Sequence, residues 1–285
     1  MSLPGGRVAV VTGGNKGIGY AIVKGLCEQL RDQGVVYLAA RDEKRGQDAV
    51  NRLKDAGLNP RLLQLDISNP KSIERARDQL KVGIDVLVCN AGIAFKNDAT
   101  EPFGEQAEVT VATNFTGTVH TCEKLFPLLR PHARVVNVSS RAGDVEKIAN
   151  SNLKTRLISE DLTMDELKKI MNDFVSAAKR GTHKDVGFPN TAYGMSKIGL
   201  TAATRILQRD IAKYNKNEDI IVNACCPGYV DTDMTSHKGT KTIEEGADTP
   251  IYLALLPPQD GKSDQSVPKG NFVAERRILD WTKGF

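Results

Sequence analysis

A tyrosine and a lysine four positions apart offer the clearest chemistry in the chain, in the run Tyr193-Gly194-Met195-Ser196-Lys197. On a helix such side chains share one face, which makes the phenol and the ammonium neighbours. A free phenol titrates near ~10 and handles protons poorly at neutral pH. An adjacent ammonium stabilises the phenolate and lowers that value, so the pair can exchange a proton with a carbonyl or alcohol oxygen. The spacing alone arises by chance in many helices. It gains meaning from Ser139-Ser140 and Asn90-Ala91-Gly92, each closing an apolar run, and from a glycine-rich stretch near the start of the chain.

That stretch reads Thr12-Gly13-Gly14-Asn15-Lys16-Gly17-Ile18-Gly19. It follows an apolar run and opens a helical pattern. Glycines let the backbone turn tightly against a diphosphate, and the helix start presents free N–H groups and its positive dipole end. Gly13, Asn15, Lys16, Gly17, Ile18 and Gly19 are therefore expected phosphate contacts. At the end of the second apolar run, Leu38-Ala39-Ala40-Arg41 places Ala40 where a carboxylate would bind the adenosine ribose of NAD. Arg41 suits a forked contact to a 2′-phosphate, and Lys16 a point-charge contact. The expected cofactor is NADPH/NADP+. The bland reading of Arg41 is a solvated side chain beside Asp42.

Alternating strand and helix patterns must hold these residues. Apolar runs at 8–12, 35–40, 61–65, 86–89, 134–138, 220–224 and 271–274 read as strands. Helical patterns occupy 18–30, 42–54, 70–80, 105–129, 192–214 and 243–255. Repeated β-α-β units imply an α/β fold: a Rossmann-like, doubly wound parallel sheet in a single domain over 1–285. Residues 144–185 break the rhythm. Met164, Leu167, Ile170, Met171 and Phe174 recur at helical spacing there, predicting one helix over 163–179. We read the segment as a helical insertion laid over the sheet before Tyr193.

Composition narrows the function classes. The chain has 285 residues, 40% hydrophobic and 26% charged, with a formal net charge of +4. These values suit a globular protein, and scattered basic residues argue against a nucleic-acid binder. The five cysteines show no metal-ligand spacing, so no metal is expected, and reduced thiols point to the cytoplasm. No signal peptide is evident, and no apolar run nears the ~18 residues of a membrane span. Two sequons, at Asn114 and Asn137, would then stay unmodified. Of Cys225 and Cys226, one thiol faces the cleft or both are small buried hydrophobes.

Together the T-G-x-x-x-G-x-G loop, N-A-G, Ser and Y-x-x-x-K resemble the short-chain dehydrogenase/reductase family over nearly the whole chain. The runs 10–19, 91–96, 223–228 and 254–258 look like those of its monomeric NADPH-dependent carbonyl reductases of animals. The resemblance implies reduction of aldehydes, ketones and quinones. Tyr193 would protonate the nascent alkoxide, Lys197 hold the nicotinamide ribose, Ser140 orient the carbonyl and Asn114 position a relay water. Asn90 would contact the cofactor and Asp66 the adenine, with Pro227, Val230 and Thr232 beside the nicotinamide. Tyr229 would wall the pocket. A site for glutathione conjugates is implied near Phe95, Lys96, Asn97, Gln106, Tyr193 and Gly194.

Three positions depart from the family pattern. Cys89 stands where a first Asn is common, and Tyr229 and Asp231 replace Trp and Arg. Many oligomeric members pair through the helix bearing Tyr and Lys, so an insertion covering it predicts a monomer. Two other readings are a hydroxysteroid or prostaglandin dehydrogenase working in oxidation, and a non-catalytic NADP-binding sensor. Such sensors usually lose the Tyr or Lys.

Overall fold

Valine-rich runs form the centre of the molecule. The computed structural model describes residues 6–96, 98–214, 218–259 and 267–285; Asn97, named above, lies outside them. The strands are β1 (Arg7–Thr12), β2 (Gly34–Ala40), β3 (Arg61–Gln64), β4 (Ile84–Cys89), β5 (Leu129–Val138), β6 (Ile221–Cys226), β7 (Phe272–Ala274) and β8 (Arg277–Leu279). They make one sheet in the order β3-β2-β1-β4-β5-β6-β7-β8. Neighbours are parallel except β7 and β8. The chain winds outward from β1 to β3, then restarts on the other side of β1 with β4. The crevice at that reversal, over the carboxyl ends of β1 and β4, is where such sheets bind ligands.

Alternation along β1 sends Ala9 and Val11 to one face and Val8 and Val10 to the other. The first face packs against α1 (Gly17–Leu30), α2 (Glu43–Asp55) and α9 (Ile243–Ala254). The second packs against α3 (Pro70–Gln79) and the C-terminal part of α8 (Ala192–Tyr214). Capping fixes where helices begin. Asp42 accepts from Arg45 N at the start of α2, and Asn69 accepts from Ser72 N where Pro70 opens α3.

The 105–129 pattern folds as one rod: α4 (Phe103–Val111), a π turn (Ala112–Gly117), then α5 (Thr118–Leu125). The insertion corrects the sequence reading, because it holds two helices instead of one. They are α6 (Ser151–Ile158), capped by Asn150, and α7 (Met164–Lys179), started by a Thr163/Glu166 capping box. Within α6 only Leu157 is fully buried, so the segment lacks the apolar stripe that would reveal it. α7 lays Leu167, Met171 and Phe174 against α4 and α8. A second correction is β8, a three-residue antiparallel strand too short for a pattern to register. β6 ends on Cys225-Cys226. Among the described residues, no helix is long and apolar enough to cross a membrane.

Candidate active site

The loop after β1 closes through its glycines. Gly13 and Gly17 take φ of 66° and 55°, a region L side chains rarely adopt. A Cβ on Gly19 would stand 2.3 Å from the Gly13 carbonyl oxygen, so this position admits no side chain. The loop is pinned from β4: Thr12 Oγ1 accepts N–H from Asn90 and Ala91 at 3.0 Å each. Asn90 Nδ2 donates to the carbonyls of Thr12 and Gly13 at 3.0 and 3.3 Å. α1 begins without a side-chain cap or an acidic residue in its first turn. Its opening N–H groups thus stay available to a diphosphate. Arg52, stacked on the Tyr20 ring at 4.9 Å, donates to the Asn15 carbonyl and braces the loop from α2.

Arg41 and Asp66 stand side by side at the ends of the paired strands β2 and β3, beside this loop. Arg41 is exposed, and no carboxylate at position 40 opposes a 2′-phosphate. Asp66 turns inward on Ser68, accepting from its N–H and hydroxyl at 2.9 and 2.6 Å. The exposed Lys16 ammonium pairs with Asp233 at 2.6 Å across the loop after β6. The cradle fits a phosphorylated dinucleotide, and Arg41 stands exposed beside it.

Further along the same edge, Ser140 follows β5 and Tyr193 and Lys197 open α8. Ser140 and Tyr193 line one cleft, and hydrogen bonding from Ser140 lowers the Tyr193 pKa. Lys197 Nζ lies 5.5 Å from the centroid of the Tyr193 ring and donates to the Val138 carbonyl at 2.7 Å. Burial, not the ammonium, dominates the phenol. It pushes Tyr193 up to about 12, with the Ser140 hydrogen bond pulling the other way. The same burial brings Lys197 down to about 8. The expected lowering of the phenol by its neighbour is thus reversed, because both charged forms pay for leaving water.

Asn114 sits at the π turn, buried, with its side chain fully engaged. Its Oδ1 accepts from Ile93 N, and its Nδ2 donates to Ile93 O, each at 2.8 Å. Nδ2 also donates to Ser196 Oγ at 3.0 Å, and Ser196 donates onward to the Tyr193 carbonyl at 2.7 Å. Asn114 therefore clasps the loop after β4 to the catalytic helix. Asn114 and Asn137 are both buried, which withdraws the two sequons from any modifying enzyme.

A cleft of about 900 Å³ spreads over these groups. Phe95, Lys96, Gln106, Ser140, Tyr193 and Tyr229 line it, as do Ile18, Pro227, Val230 and Thr232 from the cofactor side. Gln106 is tied to the Glu101 carbonyl at 2.8 Å. Asp231 does not line the cleft, and its carboxylate meets His237 Nδ1 at 2.7 Å. Hydrogen bonding to Asp231 raises the His237 pKa. All five cysteines are free and buried: Cys225 lies in the core, and Cys226 shows its sulfur to a smaller hollow beside Ser140. Among the described residues no cluster of His, Cys, Asp or Glu is fit to hold a metal.

The turn bearing Ser140 has supports that sequence reasoning missed. Ser140 Oγ accepts from Ala142 N at 3.1 Å. Gly143 presses on α8 so closely that a Cβ would stand 2.6 Å from the Lys197 carbonyl carbon. The chain's single tryptophan, Trp281, is buried and donates from Nε1 to the Gly143 carbonyl at 2.7 Å. Ser139, the other serine of the pair, is structural, bonded to Thr201 Oγ1 at 2.7 Å. Nothing in the sequence announces Trp281, Ser196 or Arg52 as supports, since each acts through a backbone carbonyl or a distant partner.

A phosphate cradle and a Ser-Tyr-Lys constellation on one parallel-sheet edge define a dinucleotide-dependent oxidoreductase of the short-chain type. The short chain dehydrogenase family matches residues 7–152 and 181–242, and the chain belongs to that family. The unmatched stretch between them falls within the helical insertion. The chain is 50% identical over 278 residues to carbonyl reductase (NADPH) 1 of Mus musculus, covering 96% of this chain and 98% of that protein. It is 50% identical over 279 residues to carbonyl reductase (NADPH) 1 of Homo sapiens, with the same coverage of 96% and 98%. Salutaridine reductase from Papaver somniferum superimposes with a TM-score of 0.81 at 31% identity, covering 93% of this chain and 99% of that one.

Proposed function

We propose that this protein reduces aldehydes, ketones and quinones to alcohols with NADPH. The observation that carries the reading is Ser140 and Tyr193 on the lining of one cleft, with the Lys197 ammonium over the Tyr193 ring. NADPH, when bound, supplies the hydride. Ser140 donates to the substrate carbonyl oxygen and fixes its position. The Tyr193 phenol, held protonated by burial, gives its proton to that oxygen as the carbonyl becomes an alcohol. Lys197 holds the nicotinamide ribose and keeps a positive field over the phenol. Gly13, Asn15, Gly17, Ile18 and Gly19 take the diphosphate and Arg41 the 2′-phosphate, which Lys16 reaches on leaving Asp233. Asp66 and Asn90 contact the adenosine half, with Pro227, Val230 and Thr232 beside the nicotinamide. Asn114 supports the proton path through its backbone.

The reading extends to a monomer in a reducing, cytoplasmic compartment, supported by α7 over α8 and five free thiols. It includes glutathione conjugates among the substrates, received by Phe95, Lys96 and Gln106. NADPH oxidation with menadione tests the whole. Tyr193→Phe is expected to lower kcat at least about a hundredfold while NADPH still binds. Arg41→Ala should raise KM for NADPH and leave KM for NADH unchanged. Undiminished turnover in Tyr193→Phe would overturn the mechanism.

A further inference from the structure

A second hollow, of about 330 Å³, lies beside the cleft over the ends of β5, β6 and β7. Ser140, Arg141, Cys226, Tyr229, Lys241 and Glu275 face it. Ser140 and Tyr229 line the large cleft as well, so the two spaces meet at the catalytic hydroxyl.

Its walls are fixed. Cys226 Sγ accepts N–H from Arg141 and Gly228, both at 3.4 Å, tying the two strand ends together. Gly228 has φ of 89°, and a Cβ there would stand 2.8 Å from Lys241 Cδ. The lysine stem therefore lies flat on that glycine and carries Nζ to Glu275 Oε1 at 2.9 Å. This pair cancels its own charge. Arg141 is left over, and no carboxylate among the described residues pairs with its guanidinium. Hydrogen bonding to Lys241 holds the Glu275 carboxyl low, and the field of Arg141 adds to the effect, which places both cations on one hollow. Arg141 springs from the residue next to Ser140, about 3.8 Å along the backbone. A guanidinium is a planar fork matched to a carboxylate.

We propose that this hollow binds the carboxylate arm of an oxo-acid substrate, with Arg141 receiving the carboxylate while the ketone lies at Ser140 and Tyr193. An aliphatic spacer passing Tyr229 joins the two ends. The inference rests on the reductase reading and adds a substrate class to it.

The test compares γ-benzoylbutyric acid, its methyl ester and menadione, each with NADPH. The two benzoyl compounds share one ketone and differ in charge. In the wild type, kcat/KM for the acid should exceed that for the ester about tenfold or more. Arg141→Gln should erase that preference while menadione turnover stays within about twofold. Arg141→Glu should put the acid below the ester. Acid and ester reduced equally by the wild type, or slowed equally by Arg141→Gln, would overturn the proposal. Calorimetric titration of each compound into the protein reads the hollow without turnover. If none of the three supported NADPH oxidation, the reductase reading would fall. The titration would still decide whether Arg141 selects the acid.

Discussion

Burial acts on Tyr193 and Lys197 with opposite signs of charge and one outcome: both are pressed toward neutrality. A phenol raised to about 12 stays protonated through the whole neutral range, which suits a proton donor better than a base. Lys197 leaves a thermodynamic trace. Its folded value is about 8 against an ordinary 10.5, so between those values the unfolded chain holds a proton the folded chain lacks. Its contribution to stability then rises with pH across that window. Tyr193 works against stability only above its ordinary 10.0, where the folded chain keeps a proton the unfolded one has lost. The Lys197 contribution is on the order of 1 kcal/mol between about pH 8 and pH 9. Above that, buried thiols that stay protonated in the folded chain oppose it: Cys27 and Cys225 through burial, and Cys122 through its hydrogen bond with Cys89 and burial. Urea unfolding across this range should show it as a widening stability difference between the wild type and Lys197→Met, since the thiol contributions are common to both. Parallel profiles for the two proteins would mean that Lys197 keeps its water.

At the level of elements, the site is a set of strand ends and one helix held in contact. The clearest contact is the turn after β5 against α8. Gly143 takes an ordinary backbone conformation, so the objection to a side chain there is space alone. Gly143→Ala should cost about 1–3 kcal/mol of stability, since the obstacle is backbone, not a flexible side chain. It should also lower kcat more than it raises KM for NADPH, because it parts Ser140 from Tyr193 and leaves the phosphate loop alone. Wild-type kcat and stability in this variant would show that the turn and helix can separate freely. What was legible in the sequence follows from the same geometry. Buried parallel strands are continuous apolar runs, and α8 carries its chemistry at helical spacing, so both could be read. The π turn at Asn114 has no composition of its own. α6 and β8 bury too little to leave a period. The Lys16–Asp233 pair joins residues from opposite ends of the chain, and only folding brings them together.

The whole molecule is organised around what α7 covers. Its apolar stripe lies on α4 and α8, the observation behind the monomer proposed above. Sedimentation at micromolar concentration is expected to give a monomer with and without NADPH; a stable dimer or tetramer would contradict this. The other closure comes from the C-terminal turn, where Trp281 reaches back to Gly143. Because the chain has one tryptophan, its tryptophan fluorescence, excited apart from the six tyrosines, comes from a single known place. That indole touches the backbone of the turn carrying the catalytic serine. Its emission overlaps the absorption of a reduced nicotinamide. The protein thus holds a native optical probe that can follow cofactor arrival and turn movement in real time, with no label added.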